Sequence, residues 1–193
     1  MSTFNGWTIY TMPSSPVPRS IEWSMTDVVG SARNPFSLRQ QTYNWSSGIL
    51  RASVSFAPML KPQSLAWTSF LMSVQGISGV FLFGDPLNVG PQNGAASAGA
   101  VSGAGQTGYT LVTTSSNLTP GDWIQLGVRL YAVTSVSGGT LGIWPAIRES
   151  PADGTSLVIN NTQGLFRLSK NDRKFSVDVN KTYGITFEIE EAL

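Results

Sequence analysis

Apolar and polar residues alternate over most of this chain, and the alternation gives way to a helical period only once. In RSIEWSM, Ile21, Trp23 and Met25 point one way while Glu22 and Ser24 point the other. QTYNW aligns Gln41, Tyr43 and Trp45, and LRASVSF aligns Leu50, Ala52, Val54 and Phe56. A two-residue period is that of a half-buried β-strand. In KPQSLAWTSFLMSVQG the period changes, and Trp67, Phe70, Leu71 and Val74 fall at i, i+3, i+4 and i+7. Pro62 suits the first turn of that helix, and Gly76 and Gly79 suit its end. The pattern predicts a mainly β protein with one amphipathic helix packed over a sheet or a barrel mouth.

Further strands are expected at VFLF, YTLVTT, DWIQL, VRLYAVTSV, TLGIWP, TSLVIN and LFRLS, then at FSVDV and GITFEIE. Turn residues separate them, as in Thr119–Asp122 and Pro151–Gly154. Short strands at this spacing fit a small barrel or sandwich. The segment GSARNPFSLRQ has no period and reads as a loop, either a long hairpin tip or a crossover. Residues 90–108, GPQNGAASAGAVSGAGQTG, hold six glycines among small polar residues. They lack the Gly-Lys-Ser/Thr ending of a phosphate loop, and no helical pattern follows them. They read as a flexible connector, since nothing apparent offsets the ordering of their backbone, about 1–2 kcal/mol per residue.

Chemistry is narrowly bounded. The chain has no Cys and no His, which excludes disulfides, thiolate metal sites and every His-based triad. No metal or cofactor site is expected. Asp85, Asp122 and Asp153 sit beside glycine, where Asp bonds the nearby backbone of turns. Glu188 and Glu190 share the solvent side of a strand. No G-x-S-x-G or S-x-x-K supports a serine nucleophile, so the chain reads as a non-enzyme. Arg167, Lys170, Arg173 and Lys174 form the densest basic run, but Asp172 interrupts it and no aromatics interleave. With a net charge of +1, nothing steers nucleic acid to the chain. No apolar stretch is long enough to span a membrane, and MSTFNGWTIYTMP does not read as a signal peptide. Charged residues are only 12%, about half the usual share, which weakly protects a monomer against self-association. Trp23, Trp45 and Trp67 are expected in the core. Trp7, Trp123 and Trp144 are less constrained, and Trp123 and Trp144 are candidates for a surface that stacks on sugars.

PRSIEW, NPFSLRQQTYNW, SLAWTSFLMSVQG and GVFLFGDP resemble the N-terminal part of siphophage distal tail proteins. PGDWIQLG, LYAVTSV, GIWPAIRESPADGTSLV and FRLS resemble an inserted part of the same proteins. The resemblance implies a tail-tube-like β-barrel or sandwich with one flanking helix and a small inserted all-β domain. Residues 1–89 and 169–193 would form the ring domain, 90–108 the connector, and 109–168 the insertion. It further implies a homo-oligomeric, hexameric ring in the virion at the tail tip, made in the host cytoplasm, whose partners are the tail tube protein and the baseplate hub protein. Arg33, Asn34, Pro35, Phe36 and Arg39 would reach a neighbouring subunit or ring, and Trp123 and Trp144 would lie on the outer domain's surface. A tail tube or terminator protein, and a carbohydrate-binding module at the host surface, are the alternatives.

Overall fold

The computed structural model describes residues 2–94, 96–97, 99–114 and 116–193. In chain order its elements are β1 (Ser2–Phe4), β2 (Trp7–Tyr10), β3 (Ser20–Arg33), β4 (Gln40–Ser55), β5 (Met59–Leu60), α1 (Lys61–Ser73), a 3-10 turn (Gly76–Ser78) and β6 (Val80–Phe83). There follow β7 (Thr110–Val112), β8 (Trp123–Leu126), β9 (Arg129–Ser137), β10 (Thr140–Trp144), β11 (Gly164–Leu168), β12 (Lys174–Val177) and β13 (Thr182–Glu191). The protein is mainly β, with two sheets and, among the described residues, one α-helix.

The large sheet runs β1-β2-β6-β11-β13-β4-β3, with β12 and β5 also paired to β13. Its pairs are antiparallel except for β2 and β6, which are parallel. The small sheet runs β7-β10-β9-β8 and is antiparallel throughout. Neither sheet closes on itself, so the barrel expected as one form of the fold is absent, and the open arrangement is that of a sandwich. The large sheet ends at β1 on one side and β3 on the other.

The helix is where its period places it. Leu60 N–H donates to Gln63 Oε1 at 3.3 Å, and Pro62 sits in the first turn. Gln75 and Gly76 then take left-handed φ of 54° and 71° and end the run. Gly76 is required there on two counts, since a Cβ would also lie 2.4 Å from Asn171 Oδ1. Trp67, Phe70, Leu71 and Val74 are all buried. Trp67 meets Phe56 at 4.3 Å between ring centroids, and Phe70 meets Phe81 at 5.2 Å. These rings weld the helix to the large sheet. A second core, of Val101, Leu111, Ile124, Leu141, Ile143, Leu157 and others, lies within the small sheet and its loops.

The chain leaves the large sheet after Phe83 and re-enters at Gly164, and these two residues are paired. Everything between is an excursion from the β6–β11 hairpin. The resemblance puts Gly164–Leu168 at the end of the insertion, but this strand pairs with both β6 and β13. Its apolar run LFRL gives no period that could assign it to either sheet.

Residues 90–108 differ most from the expectation of a flexible connector (residues 95 and 98 lie outside the described residues). Val101 is fully buried in the small core. Backbone bonds tie the segment to both flanks: Ser102 N–H to Val112 O, Thr114 N–H to Ala100 O, Leu157 N–H to Gly99 O. Side chains supply further acceptors. Asp122 takes Gln92 N–H at 2.9 Å, Asn117 takes Ser97 N–H at 2.6 Å, and Asp153 takes Gly103 N–H at 2.7 Å. These bonds, made from distant turns, offset the ordering cost. TSLVIN, expected as a strand, makes only isolated bridges to this segment and to Gln125.

Candidate functional site

β3 and β4 pair from Ser20↔Ser55 to Arg33↔Gln40. On its other side β4 is held by β13 only from Arg51 to Ser55. Beyond Asp27 and Gly48 neither strand pairs with a third strand among the described residues, and the two project as an arm. Seven residues of strand at about 3.3 Å each make it roughly 20–25 Å long. An isolated two-stranded ribbon is marginal in water unless something else packs on it.

The arm is dressed for contact. Phe36 at its tip is 96% exposed, and Trp45 near its base is 63% exposed; Val28, Val29, Leu38 and Tyr43 are also exposed. Clustered large apolar side chains on a protein surface mark an interaction site. Trp45 lies across Gly30, where a Cβ would be 2.5 Å from the indole Cη2. The tip is built by Asn34, whose Oδ1 accepts from Phe36 N–H at 2.8 Å and Ser37 N–H at 3.2 Å. Asn34 N–H donates to Arg39 O at 2.9 Å, and Leu38 closes the turn at a left-handed φ of 56°. Arg33, Asn34, Pro35, Phe36 and Arg39 thus come together at the arm's end, with Pro35 and Phe36 outermost in the turn. Of GSARNPFSLRQ, expected as a loop throughout, residues 30–33 lie in β3 and Gln40 in β4, so only residues 34–39 form the hairpin tip, and there is no crossover.

Alternation predicts Trp45 in the core, and it is not there; Met25 is likewise exposed. Alternation selects a face of a strand but does not say whether anything covers it. Here the strand has outrun the sheet. Of the other two, Trp67 is buried and Trp23 is half-buried against Phe83 and Phe166.

Trp123 and Trp144 do not form a free outer surface. Both are half-buried at the joint between the sheets, packed against the large core. Trp123 lies 6.1 Å from Trp23 between centroids. Trp144 Nε1–H donates to Asp27 Oδ1 at 2.7 Å. An indole has one apolar body and one donor, and the joint uses both. Charged groups complete the joint. Arg148 donates to Glu191 Oε1 and Oε2 at 3.1 and 2.7 Å and to Gly48 O. Arg129, buried, donates to Ala192 O and to Glu149 Oε1, the latter at 3.1 Å. Arg148 N–H donates to the Tyr131 hydroxyl at 3.0 Å. Burial pushes that hydroxyl above its ordinary value of 10.0, so it stays protonated while its oxygen accepts. No sequence period announces these pairs, because Arg148 reaches Glu191 across 43 positions and Gly48 across 100.

The basic run is dispersed by the fold. Lys170 pairs with Glu188 at 2.7 Å, Lys174 with Asp172 at 3.6 Å, and Arg173 caps α1 at Leu71 O at 2.9 Å. Arg167 stacks on Trp7 at 4.8 Å. The hydrogen bond from Lys170, with its charge, holds the Glu188 carboxyl below the usual range. Asp85 accepts from Leu87 N–H at 2.9 Å in its turn, and Glu190 pairs with Arg51 at 3.5 Å. Among the described residues no three acidic groups lie close enough to hold a metal ion, and no helix is long and apolar enough to cross a membrane. No protein-family model and no curated protein sequence matches the chain.

Proposed function

We propose that this protein is a structural ring component at the distal end of a long, non-contractile phage tail, joining the tail tube to the baseplate hub. The observation that carries the proposal is the arm. It is a two-stranded ribbon that pairs with no third strand beyond Asp27 and Gly48 among the described residues, and it carries Phe36, Leu38, Tyr43 and Trp45 into solvent. Such a ribbon gains stability when a neighbour covers it. The outer edge of β3 has no strand beside it among the described residues, and over its last eight residues only Asp27 and Arg33 are charged. An edge so lightly guarded suits an obligate neighbour. The resemblance to distal tail proteins supplies the setting: copies of the same chain in a closed ring of six, the tube protein on one side and the hub on the other, in the virion. The work is mechanical, with no covalent step and no cofactor.

Deleting Ser31–Leu38 removes the tip and leaves both cores untouched. The variant should fold, by circular dichroism and a cooperative melt, yet stay monomeric in light scattering under conditions where the intact chain forms rings visible by negative-stain microscopy. Rings from the deletion variant, or an intact chain that stays monomeric in the presence of tube and hub proteins, would overturn the proposal.

A further inference from the structure

We infer that the small sheet sets the direction of the arm, and that Trp144 and Arg148 are the positioning residues through which it does so. The arm leaves the large sheet at the pair Asp27↔Gly48. Both members of that pair are gripped from the small-sheet side. Trp144 Nε1–H donates to Asp27 Oδ1 at 2.7 Å, across 117 positions of sequence. The Trp144 ring also lies on Gly48, where a Cβ would be 2.9 Å from Cζ2 and 3.1 Å from Cε2. Only glycine lets the indole seat so closely. Arg148 donates to the Gly48 carbonyl and, with the same guanidinium, to Glu191 at the end of β13. That carbonyl belongs to the pair at the arm's root, and Glu191 is anchored in the large sheet, so Arg148 ties arm base, small sheet and large sheet at one point.

The place of the grip is as telling as its chemistry. Immediately beyond it the register jumps, from Asp27↔Gly48 to Val29↔Asn44, so residues 45–47 face Val28 alone. A bulge of this kind bends and over-twists a ribbon. A two-stranded ribbon with a bulge at its root has a soft angle, because ribbon twist varies widely when no third strand fixes it. The clamp holds the pair that forms one side of that bend, so its contacts with Asp27 and Gly48 help fix the angle at which the ribbon leaves. Whatever displaces the small sheet therefore re-aims Phe36 at the far end of the arm. The device belongs to the single chain and operates whether or not rings form.

The test is a distance. The chain has no cysteine, so Phe36→Cys at the tip and Ser137→Cys on the small sheet accept spin labels without background. Pulsed dipolar spectroscopy of the labelled, otherwise native chain, held monomeric by dilution, should give one narrow distance distribution. Asp27→Ala removes the acceptor from the arm side at an exposed position. Trp144→Phe removes the donor and keeps a ring. Each should broaden the distribution about twofold or shift its centre, at a nearly unchanged thermal midpoint. The double variant should do no more than the larger single one, because both remove one bond. Gly48→Ala, which wedges the ring away, should shift the centre on its own. Arg148→Gln should add to the broadening; should it fail to fold because Glu191 is left unpaired, the Asp27, Trp144 and Gly48 variants still decide the matter. An unchanged centre and width in all three would overturn the inference. A loss of thermal stability with no change in distance would also overturn it, since that marks a contact that holds the fold without aiming the arm.

Discussion

At the scale of single residues, Asp122 shows how this chain turns glycine into structure. It is buried, and its carboxylate accepts from Thr119 N–H at 2.7 Å, Thr119 Oγ1–H at 2.9 Å and Gln92 N–H at 2.9 Å. Two of those donors belong to its own turn, and the third belongs to the glycine-rich segment. Asp122→Ala orphans all three. Hydrogen bonds to a charged group are worth about 1.5–3 kcal/mol, and an unmet buried donor adds its own penalty, so a loss of roughly 2–4 kcal/mol is expected. Denaturant unfolding measures it. Amide exchange should rise around Gln92 and Ser97 and stay unchanged in α1. The turn role of Asp122 is legible from its place in PGDW. Its grip on Gln92 is not, because nothing in PGDW names a partner 30 residues away. The same holds for Trp144, whose surroundings only the assembled joint supplies.

At the scale of elements, the helix is the best case of a period that decides a packing. Trp67 is buried between Phe56, Phe70 and Phe187, while Leu65, two residues earlier, is exposed on the opposite face. Trp67→Ala should cost about 3–5 kcal/mol through the burial it forfeits and the cavity left behind. Leu65→Ala should be close to neutral for the isolated chain. Thermal or denaturant melts of the two variants check the contrast, and equal effects would mean the helix is not docked through the Trp67 face. The strands divide on the same principle. Ala52 and Val54 are readable as core because β4 there lies between β3 and β13, and Leu50 is buried one step beyond that stretch. Tyr43 and Trp45 alternate in the same way farther along that strand, one step out of phase with Leu50 and Ala52 and beyond the register shift, and there the sheet has ended. The FSVDV strand repeats the lesson in part: Phe175 and Val177 alternate on β12 and are exposed, while Val179, expected on the same face, falls in the turn after the strand and is exposed too. Period is a local property, whereas cover depends on how far the neighbouring strands extend.

At the scale of the whole molecule, the two sheets share a chain in a way that invites surgery. The excursion from residue 84 to residue 163 begins and ends on paired neighbours, Phe83 and Gly164. Replacing it with a two-residue hairpin turn would keep β6 and β11 in register. Closing a far shorter loop would remove roughly 2–3 kcal/mol of chain entropy from the cost of folding, on the logarithmic scaling of loop closure. Against that stands the packing forfeited at the joint. Leu130 is part of the large core, and Trp123 and Trp144 pack on it, so their removal uncovers Trp23. Glu191 loses Arg148 but also becomes open to water, which spares it the several kcal/mol of an unpaired buried charge. The helix, its aromatic neighbours and the β13–β4 pairing are untouched. The excised chain should therefore still unfold in one cooperative transition, at a lower midpoint than the intact protein, with near-ultraviolet circular dichroism retained from Trp67 and its ring neighbours. A chain that shows no cooperative transition would mean that the large sheet depends on the small one to fold, and that the two are one folding unit with a shared core. A cooperative melt would mean that the small sheet is an insertion carried by a self-sufficient sheet, one that the helix-backed core does not need in order to fold even though the root of the arm is gripped from it.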